Sequence, residues 1–280
     1  MKKTFAEKST ILAFLGMATV MSVALLLINS CNKKENSDEK KSQKKNPTAK
    51  VVTEKDNRRV IYLTFDDGPS KGTENLLKIV HKHKIPVTAF IIGKHVFGSR
   101  KQSEDFKILE NDSLVELANH SFTHASNNYS TFYQNPELVL EDFNQAKDSV
   151  KFKNNYARTP GRNIWRLNNV YETDIKKSVA AADLLQKNNY KVVGWDLEWK
   201  PDTKMHLKGT HEQMLKKIDS IYFNDLEKTS RHLVLLTHDQ YLTDENSVKE
   251  LDLFIQKLKE SNRFQFKKIS DYPKINEVLY

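Results

Sequence analysis

Short apolar runs alternate with amphipathic stretches along the chain after residue 59. Short runs of this kind predict strands, and they lie at residues 60–65, 87–92, 114–119, 155–158, 190–197, 232–237 and 264–267. The intervening stretches predict helices, at residues 73–84, 103–111, 136–151, 172–188, 212–226 and 247–261. Because alternating strands and helices pack as a parallel sheet covered by helices, the pattern predicts an α/β fold.

The N-terminal region has the pattern of a targeting segment. Three lysines within the first eight residues precede an uncharged, mostly apolar run at residues 11–28, and Cys31, the only cysteine, follows it closely. Residues 1–31 resemble a bacterial lipoprotein signal peptide, with Cys31 as the lipidation site. The alternative is an uncleaved signal anchor, for which this run is at the lower limit of length. Either way we expect the domain outside the cytoplasmic membrane, anchored to it and facing the periplasm or the cell surface.

The positive charge of the chain is concentrated in its first 59 residues. The formal net charge is +9, yet residues 60–280 carry only +2 of it. Residues 32–57 are rich in Lys, Glu, Asn and Ser and have few apolar side chains, so they predict a disordered tether. A nucleic-acid enzyme carries its positive charge on the folded domain. We therefore expect one catalytic domain at residues 58–280 and no nucleic-acid partner.

Two adjacent carboxylates follow the first predicted strand. Asp66 and Asp67 precede Gly68-Pro69, which ends the strand. Neighbouring side chains point to opposite faces of an extended backbone, but a turn at the strand end can bring both to one cavity. Because close carboxylates repel unless a cation or a proton lies between them, the pair indicates a metal site or an acid–base site. The alternative is a solvated Asp-Asp-Gly turn.

Two histidines follow a later predicted strand. His120 and His124 are four residues apart, which on a helical turn would place both imidazoles on one face. Such a pair taken alone is weak evidence, since the chain has nine histidines. Together with one carboxylate, however, two imidazoles form a three-ligand site with a position left open for water, as in catalytic zinc sites.

At this point the chain resembles a known family. The segment 64–69 (TFDDGP), followed by 120–124 (HSFTH), is similar to the first two motifs of the polysaccharide deacetylases, carbohydrate esterase family four. Segments 158–162 (RTPGR), 194–202 and 235–239 (LLTHD) resemble the later motifs in order. The resemblance implies a distorted (β/α)7-type barrel. Independently of it, every motif lies at or just after the end of a predicted strand, where barrels of this class build their active sites.

The resemblance also implies roles for five residues. Asp67, His120 and His124 would hold one divalent metal, with zinc expected and cobalt or nickel as alternatives. Asp66 would be the general base that takes a proton from the attacking water. His238 would be the general acid that protonates the departing amine, a task suited to imidazole because its pKa is near neutrality.

Further residues of the motifs would support this site. Arg158 would orient Asp66 and keep it ionised, and Leu236 would line a small apolar pocket for the acetyl methyl group. An alternative for Leu236 is ordinary strand core. Trp195 or Trp199 would supply the opposite wall or stack on a sugar ring, and we select Trp199; a place in the core is an equal alternative.

Two motifs depart from the family pattern. After Pro160, Gly161 occupies a position that is commonly aromatic and whose backbone helps to form the oxyanion hole. We expect Pro160 and Gly161 to contact substrate. The fourth motif offers three acids that could tune His238, namely Asp196, Glu198 and Asp202; we select Asp196.

The function that these residues predict is metal-dependent N-deacetylation of an acetylated glycan such as peptidoglycan or a chitin-like oligomer. An O-acetyl esterase acting on a xylan-like glycan would use the same residues. A lipid-anchored carbohydrate-binding protein that has lost turnover is the alternative from another class. Retention of both carboxylates and all three motif histidines speaks against that last alternative.

Overall fold

The computed structural model describes residues 56–278. The predicted lipidation site Cys31, the signal segment 1–31 and nearly all of the predicted tether 32–57 lie outside these residues. No helix within 56–278 combines the length and the apolar character needed to cross a bilayer.

Strands and helices alternate through most of the described chain. The strands are β1 (Arg59–Gly68), β2 (Val87–Ile91), β3 (Val115–Asn119), β4 (Tyr156–Ala157), β5 (Ile164–Leu167), β6 (Val170–Thr173), β7 (Lys191–Val192), β8 (Leu197–Glu198), β9 (His232–His238) and β10 (Phe264–Phe266). The helices are α1 (Thr73–His83), α2 (Gly93–Val96), α3 (Arg100–Asn111), α4 (Tyr129–Gln134), α5 (Pro136–Val150), α6 (Val179–Lys187), α7 (His211–Phe223) and α8 (Glu245–Glu260). Short 3-10 turns lie at His124–Asn127, Lys176–Ser178, Asp239–Tyr241 and Ile269–Asp271.

A curled, open sheet forms the centre of the fold. Its strand order is β6-β5-β7-β4-β3-β2-β1-β9-β8, and β10 pairs with β1 outside this path. In this spatial order, every pair of neighbouring strands from β7 through β4, β3, β2, β1 and β9 to β8 is parallel. Strand β5 is antiparallel to both of its neighbours. The chain therefore has the predicted α/β fold, a distorted (β/α) barrel.

Strand β1 shows why its sequence is apolar without alternation. Ile61, Leu63 and Phe65 pack into the layer between the sheet and the helices, while Val60 and Tyr62 face the inside of the curl. All five are buried. Parallel strands covered on both faces read as continuous apolar runs, so this pattern identified the central strand.

Two predicted elements differ markedly from the structure. The predicted helix 172–188 is shorter, because residues 170–173 pair with β5 in an antiparallel hairpin and the helix begins only at Val179. The predicted strand 190–197 is two separate strands, β7 and β8, in different places of the sheet. Single-sequence patterns miss such pairings because the partner strand, rather than local periodicity, decides them.

Candidate active site

Side chains from four strands converge at the carboxyl end of the sheet. Asp66, His120, Arg158 and His238 continue the inward-facing alternation of β1, β3, β4 and β9, because each lies an even number of residues beyond an inward-facing residue of its strand. Asp66 is directly opposite His238 in the register of β1 and β9. The sheet itself therefore brings together candidates that are up to 172 residues apart in sequence.

Asp67 joins the same cavity through an unusual backbone conformation. Its φ is 71°, in the left-handed region, which reverses the direction that an extended strand would give its side chain. The imidazole of His95 donates from Nδ1 to the backbone carbonyl of Asp67 at 2.8 Å. This contact helps to hold a conformation that costs a non-glycine residue free energy.

The two histidines do not share a helical turn as predicted. His120 directly follows β3, and the chain then passes through left-handed residues at Ser121 (φ 64°) and His124 (φ 55°). The Asp142 carboxylate accepts the backbone N–H of Thr123, and the Ser121 hydroxyl accepts that of His124. A side-chain-braced loop, not an α-helix, brings the imidazoles together, with ring centroids 5.1 Å apart.

Asp67, His120 and His124 have the geometry of a metal-binding triad. Oδ1 of Asp67 is 3.3 Å from Nε2 of His120 and 3.2 Å from Nε2 of His124. Ligands at about 2.0–2.1 Å from a tetrahedral zinc ion are about 3.3 Å apart, so these separations fit. Oδ1 is also buried without a hydrogen-bond partner among the described residues, an arrangement that is costly unless a cation or a proton satisfies it.

The outer hydrogen bonds fix which nitrogen of His120 faces the triad. Nδ1 of His120 donates to the carbonyl of Arg158 at 2.8 Å, which leaves the lone pair on Nε2 in the neutral ring. Metal-ligating histidines usually hold their second nitrogen in this way. The residues present therefore fit a divalent cation.

Charge in the triad favours an ionised carboxylate and a neutral imidazole. Burial raises the pKa of Asp67, but the nearby imidazoles of His120, His238 and His124 outweigh burial and hold that pKa well below its usual value. Burial, together with the charge of His120, lowers the pKa of His124 to about 4. Near neutral pH, Asp67 and His124 are thus in the forms that bind a metal.

Arg158 is completely buried and contacts Asp66 directly. One guanidinium nitrogen (Nη1) donates to Oδ1 of Asp66 at 2.8 Å and to Oγ1 of Thr64 at 2.7 Å. The other two donate to the carbonyls of Val193 and Gly194 at 3.1 and 2.8 Å. With every nitrogen paired, Arg158 is a fixed positive charge beside Asp66, where the family resemblance placed it.

His238 faces the triad, but its predicted acidic partner does not face it. Nε2 of His238 is 3.7 Å from Oδ2 of Asp67, and its ring packs on Tyr241 at 4.7 Å between centroids. Asp196 instead accepts the backbone N–H groups of Lys228 and Val234 at 2.8 and 2.6 Å. Its contacts contradict the tuning role selected for it, since both oxygens tie a loop to the start of β9.

The aromatic wall residue was also selected wrongly. Trp199 is fully buried on the helix side of the sheet, where it packs edge-on against Phe254 and donates from Nε1 to the carbonyl of Lys208 at 3.0 Å. Trp195 is half-buried and its ring is 5.9 Å from the guanidinium of Arg158. Trp195 is therefore the tryptophan near the site, and the irregular backbone between β7 and β8 explains why strand periodicity could not choose between them.

Tyr129, a residue outside the family motifs, lies between His124 and the third-motif loop at residues 158–162. Tyr129 packs edge-on against His124 at 5.7 Å, and its ring is 3.0 Å from the position that a Cβ on Gly161 would occupy. Gly161 has φ 62°, and Pro160 accepts the hydroxyl of Tyr133 through its carbonyl. The tyrosine ring thus lies over the backbone at the position that is commonly aromatic in the family, and no local pattern predicted it.

Leu236 is buried on the inward face of β9, one side-chain step below His238. It lies between the site and the interior core, which is compatible with the floor of an acyl pocket. Its selection as a substrate contact remains a prediction.

A second group of possible metal ligands lies at the start of α7. Nδ1 and the backbone N–H of His211 both contact Oε2 of Glu250 at 2.7 Å, and Nε2 is 3.0 Å from Oε1 of Glu212. Hydrogen bonds from the imidazole and the backbone satisfy this buried carboxylate without a cation. The triad at Asp67, which has an orphan oxygen, is therefore the better candidate for a metal.

The chain is similar in sequence to known deacetylases. The family model described as polysaccharide deacetylase matches residues 53–166. The chain is 40% identical over 84 residues to the peptidoglycan-N-acetylglucosamine deacetylase of Bacillus cereus, which is 30% of this chain and 28% of that protein. It is 24% identical over 208 residues to the chitin disaccharide deacetylase of Vibrio alginolyticus, covering 52% of this chain and 49% of the relative.

A solved structure is similar over most of the described chain. The family 4 carbohydrate esterase of Streptomyces lividans, in complex with acetate, aligns with a TM-score of 0.55 over 77% of this chain and 95% of that chain, at 17% identity. This likeness concerns the fold. The chain spans about half the length, or less, of these two curated relatives.

Proposed function

We infer that the chain belongs to the polysaccharide deacetylase family, and from this premise we propose that it is a metal-dependent hydrolase that removes N-acetyl groups from a glycan. The observation that carries the proposal is that the imidazoles of His120 and His124 converge on Oδ1 of Asp67, an oxygen without a hydrogen-bond partner among the described residues. Asp66 and His238 lie beside this group. A divalent metal held by this triad would supply a Lewis acid for the acetamide carbonyl and would lower the pKa of water to about 7.

Asp66 is the proposed general base. Its Oδ1 is held by Arg158, and its Oδ2 faces the triad at 3.7 Å from Nε2 of His120. The buried guanidinium places a positive charge directly beside this carboxylate. Asp66 would take the proton of the water whose oxygen attacks the acetyl carbon.

His238 is the proposed general acid. It approaches the triad from β9, the strand next to β1, and its side chain is partly exposed, so it can reach a bound sugar. It would donate a proton to the amide nitrogen as the C–N bond breaks, releasing acetate and a free amine. Tyr241 packs on the ring and restricts its orientation.

We propose an N-acetylated envelope or extracellular glycan as the substrate, with peptidoglycan and chitin-type oligomers as the first candidates. The printed names of the Bacillus cereus and Vibrio alginolyticus relatives support this class. The esterase alternative uses the same five residues and differs only in the leaving atom, which is an oxygen instead of a nitrogen.

Mass spectrometry of acetylated glycans tests the proposal. The purified protein, supplied with zinc or cobalt, is incubated with peptidoglycan fragments, chitin oligomers and acetylated xylan. We expect a product lighter by one acetyl group on nitrogen, and chelation should stop its formation. Loss of acetyl only from oxygen would establish the esterase, and no change across the panel would favour a binding protein.

The matched variant Asp66→Asn separates metal binding from catalysis. We expect it to keep one equivalent of metal but to lose about 10²–10⁴-fold in turnover, the usual contribution of a general base. Full activity in Asp66→Asn would refute the base assignment.

We further propose that residues 1–31 are a lipoprotein signal and that lipidated Cys31 anchors the domain to the membrane, facing the periplasm or the cell surface. Incorporation of a labelled fatty acid in cells, compared between the native chain and Cys31→Ala, tests this. Equal labelling of the two would refute it.

A further inference from the structure

The two oxygens of the Asp67 carboxylate have different surroundings. Oδ1 faces both imidazoles of the triad and has no hydrogen-bond partner among the described residues. Oδ2 accepts a hydrogen bond from Nε2 of Gln240 at 3.0 Å and is 3.7 Å from Nε2 of His238. One oxygen is thus left for a cation, while an amide holds the other.

Gln240 is itself firmly placed. It lies in the 3-10 turn Asp239–Tyr241 that follows β9. Both neighbours are buried, and the Asp239 carboxylate accepts the hydroxyl of Thr73. The amide is therefore presented to Asp67 from a braced backbone, and none of the family motifs contains it.

We propose that Gln240 is a positioning residue for the metal-binding carboxylate, an inference that rests on the proposed metal-dependent function. Its N–H donor holds Oδ2 of Asp67 and so directs Oδ1 to His120 and His124. Groups that orient metal ligands in this way typically contribute about 10–100-fold to metal affinity.

The Gln240 amide also keeps the proposed roles of Asp67 as metal ligand and His238 as general acid separate. Without a donor on Oδ2, the carboxylate is free to turn both oxygens toward the imidazoles or to pair with His238. The first change alters the ligand set, and the second ties up the residue proposed as acid. A neutral donor prevents both without adding a charge that would compete with a cation.

Metal titration of matched variants tests the inference. Metal-free wild type, Gln240→Met and Gln240→Ala are titrated with Zn²⁺ by calorimetry, and their thermal melts are compared without metal. Gln240→Met removes the donor at similar size, so we expect about 10–100-fold weaker binding. Gln240 is partly exposed, so in Gln240→Ala a water can replace the amide, and we expect a smaller loss.

The control is Gln102→Met. Gln102 also donates from Nε2 at 3.0 Å, but to the carbonyl of Pro69 in the same loop rather than to the carboxylate. We expect its zinc affinity within about threefold of wild type. X-ray absorption of the zinc-loaded proteins should show more oxygen neighbours in Gln240→Met than in the control.

Each outcome decides a stated point. Equal affinity of Gln240→Met and wild type, or an equal loss in Gln102→Met, overturns the role of Gln240 and leaves the metal site intact. Should Gln240→Met fail to fold, Gln240→Ala decides, since wild-type affinity there overturns the role as well. Absence of zinc binding in wild type refutes the proposed metal dependence, and the role of Gln240 with it.

Discussion

Replacement of Arg158 by Met tests the electrostatic basis of the site. Arg158 is fully buried, and Met keeps much of its length and apolar contact. The change leaves the Asp66 carboxylate buried without its cation and removes donors from Thr64, Val193 and Gly194. Removal of one partner from a buried ion pair costs about 3–5 kcal/mol. In a domain of this size, 1 kcal/mol lowers Tm by about 2–4 °C, so we expect Tm to fall by about 6–20 °C.

A double-mutant cycle with Asp66→Asn isolates the interaction between the two charges. Asp66→Asn in the Arg158→Met background removes the uncompensated carboxylate, so we expect the double variant to be more stable than Arg158→Met alone by about 2 kcal/mol. Urea unfolding followed by tryptophan fluorescence, at neutral pH and in the presence of chelator, gives the four free energies. Free energies that add to within about 0.5 kcal/mol would mean that the two residues are not coupled and would refute the reasoning.

Three further predictions follow from the contacts described above. His124→Ala should abolish zinc binding in calorimetry, whereas the control His211→Ala should keep one equivalent; equal binding by both variants would contradict the ligand assignment. Burial raises the pKa of Asp196 from 3.8 to about 6, so the folded state binds this proton more tightly than the unfolded state does. The resulting contribution to the free energy of unfolding, about 3 kcal/mol, is fully present below about pH 4 and is lost as pH rises through 6. Asp196→Asn should flatten the dependence of Tm on pH in that window. A Tm profile parallel to that of the wild type would contradict the assignment of this pH dependence to Asp196. Trp199→Ala should cost about 3–5 kcal/mol of unfolding free energy, whereas Trp195→Ala should change KM more than stability; the reverse pattern would exchange their roles.

Local sequence patterns predicted the elements that depend on local physics. The apolar run of β1 is continuous because both of its faces are covered, and its end is marked by Gly68-Pro69. The predicted α/β barrel is confirmed, and the match of the polysaccharide deacetylase model to residues 53–166 agrees with the family resemblance. The structure also brings Asp66, Asp67, His120, Arg158 and His238 together. Each lies at or just after the carboxyl end of a strand, and parallel strands present those ends on one side of the sheet.

The failures share a physical cause. Asp196 and Trp199 were chosen from a segment whose backbone is irregular, so alternation could not show which side chains face the cavity. The spacing of His120 and His124 suggested a helical turn, but the structure reaches the same proximity through left-handed residues braced by Asp142. Spacing limits which atoms can meet without specifying the backbone that joins them.

The sequence by itself determined the alternation of strands and helices, the family motifs and the kinds of side chain available for chemistry, because periodicity and residue type are local properties. Only the tertiary structure decided which side chains share a cavity. The register of β1 against β9 places Asp66 opposite His238, and the turn after β9 brings Gln240 to Asp67 across 173 positions of sequence. Such contacts depend on how distant strands pair, which no local pattern specifies.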